Sequence, residues 1–225
     1  MLLMGGQRRV GPCFLTLVCC SLFYSSARSG PSGLLRVNHS LVRNVVRPGD
    51  VAIDATCGNG WDSLFLAHLL FPHARSRLVC IDLQENSIKA TRERLSGLVK
   101  TEGTDIEFIQ GCHSTSLPAD LQPGSVSAFL MNLGYLPGPD SNKRLTTRAQ
   151  TTLSALQVAL PLLRNDGLAT IMAYRHDVEA EAELESLRNF ASGLDLRLWD
   201  VNAHHGLQAS APATGPVLFS IRRRA

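Results

Sequence analysis

From Leu34 onward the chain alternates between two apolar rhythms. Short, almost wholly apolar runs are separated by longer stretches in which apolar residues return every three or four positions. The first rhythm marks strands buried on both faces, and the second marks helices with one packed side. Residues 34–46 predict an amphipathic helix, closed by the turn Arg47-Pro48-Gly49-Asp50. Residues 51–54 predict a strand, 63–70 a helix stopped at Pro72, and 78–82 a second strand. A helix over 84–99 carries Ile88, Leu95 and Leu98 on its apolar side. Strands follow at 105–110 and 125–132, then a long helix at 147–163 with Leu153, Leu156, Leu160 and Leu163 in register.

The turn Asn165-Asp166-Gly167 leads into a strand at 168–174, a helix at 178–190 and two closing strands at 194–201 and 216–221. The Ala/Gly/Pro-rich stretch 202–215 reads as a loop between them. Strands alternating with helices imply a parallel sheet covered on both faces. The last two strands, joined without a helix, imply an antiparallel hairpin at its edge. The expected architecture is therefore α/β, a doubly wound, seven-stranded, mostly parallel sheet occupying residues 34–225.

Residues 1–33 differ in kind. No Asp or Glu precedes Asp50, whereas Arg8, Arg9, Arg28, Arg36, Arg43 and Arg47 do. A basic start, an apolar run from Cys13 to Phe23 and a Ser/Arg-containing tail read as an organellar targeting peptide, plastid ahead of mitochondrion. Secretory entry, alone or as the first half of a two-part plastid signal, is the lesser reading. The apolar run is too short to span a bilayer, so no stable membrane association is expected.

Cleavage after Arg28 would remove three of the 22 basic residues and leave them level with the 19 acidic ones. A near-neutral protein does not hold nucleic acid by overall charge, so RNA contacts would need local patches. Cys57, Cys80 and Cys112 follow no zinc or CxxC spacing, and no metal is expected. A homodimer is compatible with the sequence.

The chemistry begins directly after the first strand, at Asp54-Ala55-Thr56-Cys57-Gly58-Asn59-Gly60-Trp61-Asp62. Gly58 and Gly60 permit a tight turn that a ligand can approach, and the turn feeds a helix N-terminus rich in backbone donors. Asp82 ends the next strand 22 positions after Gly60, close to the interval of roughly 20 at which such folds set an acid on a ribose. Ser63 stands where a dinucleotide fold has its third glycine. That favours the shorter loop of an S-adenosylmethionine site, with Asp54 near the methionine amino group. Gln110-Gly111-Cys112-His113 would flank the adenine, where His113 either touches the ligand or caps a loop.

Asn132-Leu133-Gly134-Tyr135-Leu136-Pro137-Gly138 ends the fourth strand, on the ligand side of such a sheet. Asn132 brings a carbonyl acceptor and an NH2 donor to the transferring methyl. Its carbonyl can accept from an amine and aim the nitrogen lone pair, which is catalysis by orientation. Tyr135 can stack on a flat base or close the pocket. Lys143, Arg144 and Arg148 could meet RNA phosphates, and Arg222-Arg223-Arg224 forms a second basic cluster. Asp177 and the acids from Glu179 to Glu183 read as the first turn of a helix. No general base is evident.

These motifs together resemble the tRNA 5-(aminomethyl)-2-thiouridine methyltransferase family, long labelled rRNA methylases. The carrying residues are Asn38-His39, Pro48-Gly49-Asp50, and the block from Asp54 to Ala67 with Thr56, Gly58, Asn59, Gly60 and Asp62. To these belong Asp82-x-Gln84, Gly111-Cys112-His113, the Asn132 block, and Leu145-Thr146-Thr147 with Thr151-Thr152. The resemblance covers residues 34–225.

It implies a Rossmann-like class I fold and S-adenosylmethionine as methyl donor. The implied substrate is tRNA, methylated on the aminomethyl nitrogen of its wobble uridine. By the same resemblance Asn132 and Tyr135 are the catalytic candidates. Asp54, Thr56, Gly58, Asn59, Gly60, Asp62, Asp82, Gln84, His113 and Asn132 face the cofactor. His39, Gly134, Pro137, Lys143, Arg144, Thr147 and Arg148 face the RNA.

Trp61, Tyr174-Arg175-His176-Asp177 and Thr214-Gly215-Pro216 depart from the family pattern. Methylation of rRNA, of a protein or of a small amine, and a non-catalytic S-adenosylmethionine-binding scaffold, are the other readings of the same motifs.

Overall fold

A computed structural model of the chain describes residues 33–71, 75–98, 104–134, 146–175, 177–206 and 215–225. In chain order it contains α1 (Gly33–Arg43), β1 (Val51–Asp54), α2 (Trp61–Leu70), β2 (Ser76–Asp82), α3 (Glu85–Leu95) and β3 (Thr104–Gln110). Then come β4 (Val126–Asn132), α4 (Ala149–Leu162), β5 (Leu163–Ala173), α5 (Val178–Ser192), β6 (Trp199–His205) and β7 (Val217–Arg223).

The seven strands form one sheet in the order β3-β2-β1-β4-β5-β7-β6. The first five are mutually parallel, and β7 runs antiparallel to both β5 and β6. Strand order therefore reverses between β1 and β4, and the carboxyl ends of β1 to β5 open on one edge of the sheet. In such sheets a ligand lies in the crevice at that reversal.

Alternate side chains of the same strand serve opposite faces. Ile53, Val79, Ile81, Phe129 and Met131 pack with Leu156 of α4 and Leu184 and Leu187 of α5. Ala52, Leu78, Cys80, Ala128 and Leu130 pack with Leu66 and Leu70 of α2 and Leu95 of α3. Leu34 of α1 joins Met172 and Leu218. Each fully buried Leu, Ile or Phe side chain contributes about 1.5–3 kcal/mol, so two such layers hold the site's frame rigid.

Two expectations change. The apolar stretch around Leu194–Leu198 is a turn, with Leu196 64% and Leu198 58% exposed. Asp195 captures it: its carboxylate accepts from the Arg197 N–H at 2.9 Å and its carbonyl from those of Leu198 and Trp199 at 2.9 and 3.0 Å. Such local bonds compete with a strand ladder. The strand instead extends to His205, into the stretch read as loop.

The Asn165-Asp166-Gly167 turn lies inside β5. Leu163 pairs with Val126, and the ladder resumes with Leu168 opposite Ala128. A Cβ on Gly167 would lie 2.7 Å from the Arg164 carbonyl oxygen, so the turn closes only around a glycine.

Candidate active site

Asp54 ends β1 almost completely buried. Its Oδ2 accepts from the Ser63 hydroxyl at 2.6 Å, and its Oδ1 from the Thr56 N–H at 3.4 Å. Ser63, which stands in place of a third glycine, thus supplies a hydroxyl to the carboxylate. Burial, reinforced by the charge of Asp62, pushes the Asp54 carboxyl well above the usual range.

The loop after Asp54 is held by the next strand. Asp82, ending β2, accepts from the Gly58 N–H and from the Gln84 N–H, both at 2.9 Å. Gly60 has φ +78°, and a Cβ there would lie 2.8 Å from the Thr91 Cα of α3. A side chain would therefore be excluded twice, by backbone conformation and by contact. As the residue before α2, Gly60 brings no capping side chain to that helix N-terminus. Arg94 of α3 closes the outer side, its Nε donating to the Asn59 carbonyl at 2.6 Å and its guanidinium lying 3.4 Å from the Trp61 ring centroid.

At the end of β3 the Gly111 N–H returns to the Asp82 carbonyl at 2.9 Å, and a Cβ on Gly111 would overlap the Ser116 hydroxyl. His113 in this turn is 9% exposed, and its Nε2 has no hydrogen-bond partner among the described residues. Burial lowers its pKa to about 4. A neutral imidazole nitrogen at this edge suits a flat nitrogenous ligand.

Asn132 is pinned from several elements. Its N–H donates to the Thr56 hydroxyl at 2.7 Å, tying the end of β4 to the β1 loop. Its side-chain Nδ2 donates to Asp62 Oδ2 at 3.4 Å. The other Asp62 oxygen lies 2.8 Å from His39 Nε2, and the His39 ring stacks on Phe65 with centroids 3.9 Å apart. The Tyr174 phenol, just past β5, lies beside the Asn132 side chain. Partial burial of the ring and then the Asp62 charge push that phenol pKa up, although Tyr174 keeps 38% of its surface exposed. In the sequence Tyr174 stands out only as a departure from the family pattern. Its neighbourhood to Asn132 comes from the β4–β5 register, in which Asn132 lies opposite Met172.

Beyond Asn132 the backbone is carried by a second polar cluster. The Gly134 N–H donates to the Thr147 hydroxyl at 2.9 Å, and the Thr147 N–H donates to the Gly134 carbonyl at 3.2 Å. The Thr147 hydroxyl donates to Glu183 Oε2 at 2.9 Å and the Thr152 hydroxyl to Oε1 at 2.6 Å. Glu183 is 5% exposed. It is therefore an internal support rather than a charge in the first turn of α5, where Asp177 does cap the Ala180 N–H at 2.8 Å.

The sequence candidates divide accordingly. Asp54, Thr56, Gly58, Gly60, Asp62, Asp82 and Asn132 lie around the ends of β1, β2 and β4, with Asn59 and Gln84 on the same turns, while His113 follows β3 at the sheet edge. His39 joins them through Asp62, and Gly134 and Thr147 meet each other. Arg148 is exposed immediately before α4. Tyr135, Pro137, Lys143 and Arg144 lie outside the described residues.

Arg222-Arg223-Arg224 lies at the opposite end of the sheet. Arg222 pairs with Asp166 at 3.3 Å, Arg223 donates to the Leu163 carbonyl at 2.6 Å, and Arg224 to the Trp199 carbonyl at 3.4 Å. Cys57 and Cys80 are buried free thiols whose pKa burial pushes up, away from thiolate chemistry. Among the described residues no cluster suits a metal ion, and no helix is long and apolar enough to cross a membrane.

The geometry is that of a ligand cradle joined to an oriented amide. Comparison with known proteins carries it further. A curated tRNA (mnm5s2U34)-methyltransferase, chloroplastic, of Arabidopsis thaliana is 32% identical over 167 residues, 72% of this chain. The match spans 60% of that relative's length. A "putative rRNA-methylase" from Clostridium thermocellum superposes with TM-score 0.73 at 29% identity, covering 84% of this chain and 96% of the other. A "putative methyltransferase" from Streptococcus mutans, solved in complex with SAH, gives TM-score 0.70 at 29% identity, over 84% and 97% of the two chains. Residues 78–221 match the model of the family described as "Putative rRNA methylase", which extends from β2 through the Asn132 block to β7, and the chain belongs to that family.

Proposed function

We propose that the chain is an S-adenosylmethionine-dependent tRNA methyltransferase, adding one methyl to the 5-aminomethyl nitrogen of the wobble (2-thio)uridine. The observation that carries this is Asn132, fixed at the sheet reversal through both its backbone N–H and its side-chain amide. The resemblance to a curated tRNA methyltransferase and to a methyltransferase solved with SAH supports it.

The cradle fits the methyl donor. The Gly58–Gly60 turn, left-handed at both glycines, leads into the N-terminus of α2, His113 offers a buried nitrogen, and Asp82 ends β2 where the ribose would lie. Asp54 would hold the methionine ammonium, which supplies the opposite charge that burial denies the carboxylate. When bound, S-adenosylmethionine supplies an electrophilic methyl group. Asn132 does the orienting: its carbonyl accepts an N–H of the substrate amine and turns the nitrogen lone pair toward that methyl. The Gly134–Thr147 pair would carry the loop against which the base lies. Arg148, with Lys143 and Arg144, would meet the phosphates.

A plastid location is part of the proposal. It rests on the acid-free, arginine-bearing segment before Asp50 and on the chloroplastic Arabidopsis relative.

The test is methyl transfer by the purified protein to tRNA that accumulates the aminomethyl-uridine precursor, with mass analysis of the nucleosides. Methylaminomethyl-uridine is the expected product. Cofactor binding without transfer to this tRNA would overturn the substrate and bring rRNA or small amines forward.

A further inference from the structure

A side-chain amide is nearly symmetric in shape, yet only its carbonyl can accept from a substrate amine. Something must decide which end of the Asn132 amide faces the reacting nitrogen. Asp62 lies beside Asn132 Nδ2 at 3.4 Å, and an ionised carboxylate only accepts hydrogen bonds, so it selects the NH2 end. The carboxylate is itself held, since His39 Nε2 lies 2.8 Å from its other oxygen. The His39 ring is fixed in turn by stacking on Phe65 at 3.9 Å with an interplanar angle of 6°. The chain Phe65–His39–Asp62–Asn132 thus joins α1, α2 and β4.

We propose that His39 and Asp62 are positioning residues that lock the Asn132 amide with its carbonyl toward the acceptor nitrogen. His39 then acts inside the protein, through Asp62, rather than on RNA. Asp62 likewise serves the acceptor side of the reaction more than the cofactor. The inference rests on the reading of Asn132 as the orienting amide of a methyltransferase.

Two substitutions at one position separate hydrogen bonding from packing. His39→Gln keeps a donor near the Nε2 position and loses the ring. His39→Phe keeps the ring against Phe65 and loses the donor. The expected result is that His39→Gln retains most turnover. In His39→Phe, kcat should fall by about 10- to 100-fold, the scale of a misplaced reacting group, with the S-adenosylmethionine Kd within about twofold of wild type. An active His39→Phe with an inactive His39→Gln would overturn the proposal in favour of packing. Cofactor affinity falling in step with kcat would overturn it in favour of a cofactor role.

The second readout needs no substrate. The Asn132 side-chain NH2 signals in a 15N NMR spectrum, assigned by their loss in Asn132→Ala, should shift and exchange faster in His39→Phe and in Asp62→Ala. Unchanged signals in both variants would sink the lock. If the wild type methylates no tRNA while these signals respond, the substrate reading fails and the lock stands.

Discussion

The Thr147 hydroxyl lies 2.9 Å from the Glu183 carboxylate while accepting the Gly134 N–H at the same distance. A buried acid on α5 thus reaches, through one hydroxyl, the backbone two residues past Asn132. Removing the carboxylate leaves the Thr147 and Thr152 hydroxyls to find other partners in a buried setting, at a cost of about 1–3 kcal/mol. Glu183→Ala is expected to lower kcat/KM for tRNA by about tenfold, as one lost positioning contact of this energy would, and to leave cofactor affinity intact. Steady-state kinetics beside calorimetric titration checks this. Equal losses in both would show that Glu183 supports the whole fold rather than this loop.

Asn132→Ala removes the amide but keeps the backbone N–H that bonds Thr56. Turnover should fall by at least about 100-fold, the scale of lost orientation at a reacting centre, while the cofactor Kd changes little. Single-turnover transfer assays read the first and calorimetry the second. Unchanged turnover would end the orienting role.

Gly60→Ala places a methyl 2.8 Å from the Thr91 Cα at φ +78°. Backbone strain and overpacking act together there, each costing about 1–3 kcal/mol. A fall in Tm of several degrees is expected, at about 2–4 °C per kcal/mol for a chain of this size. Cofactor affinity should fall as well. A variant with wild-type Tm would mean that α3 and the loop move apart freely.

Asp54 gives a pH signature. Its carboxyl pKa is raised in the folded protein by burial and by Asp62, so between its ordinary value and the raised one the folded state holds a proton that the unfolded state has lost. Stability from this group is therefore full at acid pH and declines as pH rises through the raised pKa. Denaturant unfolding of the apo protein across that range should show the decline, and Asp54→Asn should flatten it. The same slope in both proteins would place the titration elsewhere. Saturating cofactor should also reduce the slope, if its ammonium compensates the charge.

Most of this frame was legible because it follows from short-range rules. Short, fully apolar runs such as Val51-Ala52-Ile53 and Ala128-Phe129-Leu130-Met131, bounded by turn residues, read as central strands, and the acids that end β1 and β2 announce the ligand edge. The polar partnerships were not legible, since they join residues far apart in the chain. Nothing local in His39 points to Asp62, and nothing in Glu183 distinguishes it from the exposed acids Glu179 and Glu181. The burial of Glu183 follows from its place on the inner side of α5, two turns after Asp177. The misread strand at 194–201 shows the opposite failure. Its apolar residues suggested a sheet, but Asp195 bends the backbone before the ladder begins.

The reversed direction of β7 has a practical side. Because this strand runs against its neighbours, the polypeptide leaves the sheet beside Asp166 and Trp199, at the margin remote from Asp54, Asp82 and Asn132. A fluorescent protein or affinity handle fused after Ala225 would hang from the blind side of the molecule. Immobilisation through that handle would present the open edge outward, ready for a surface-based test of whether RNA is captured.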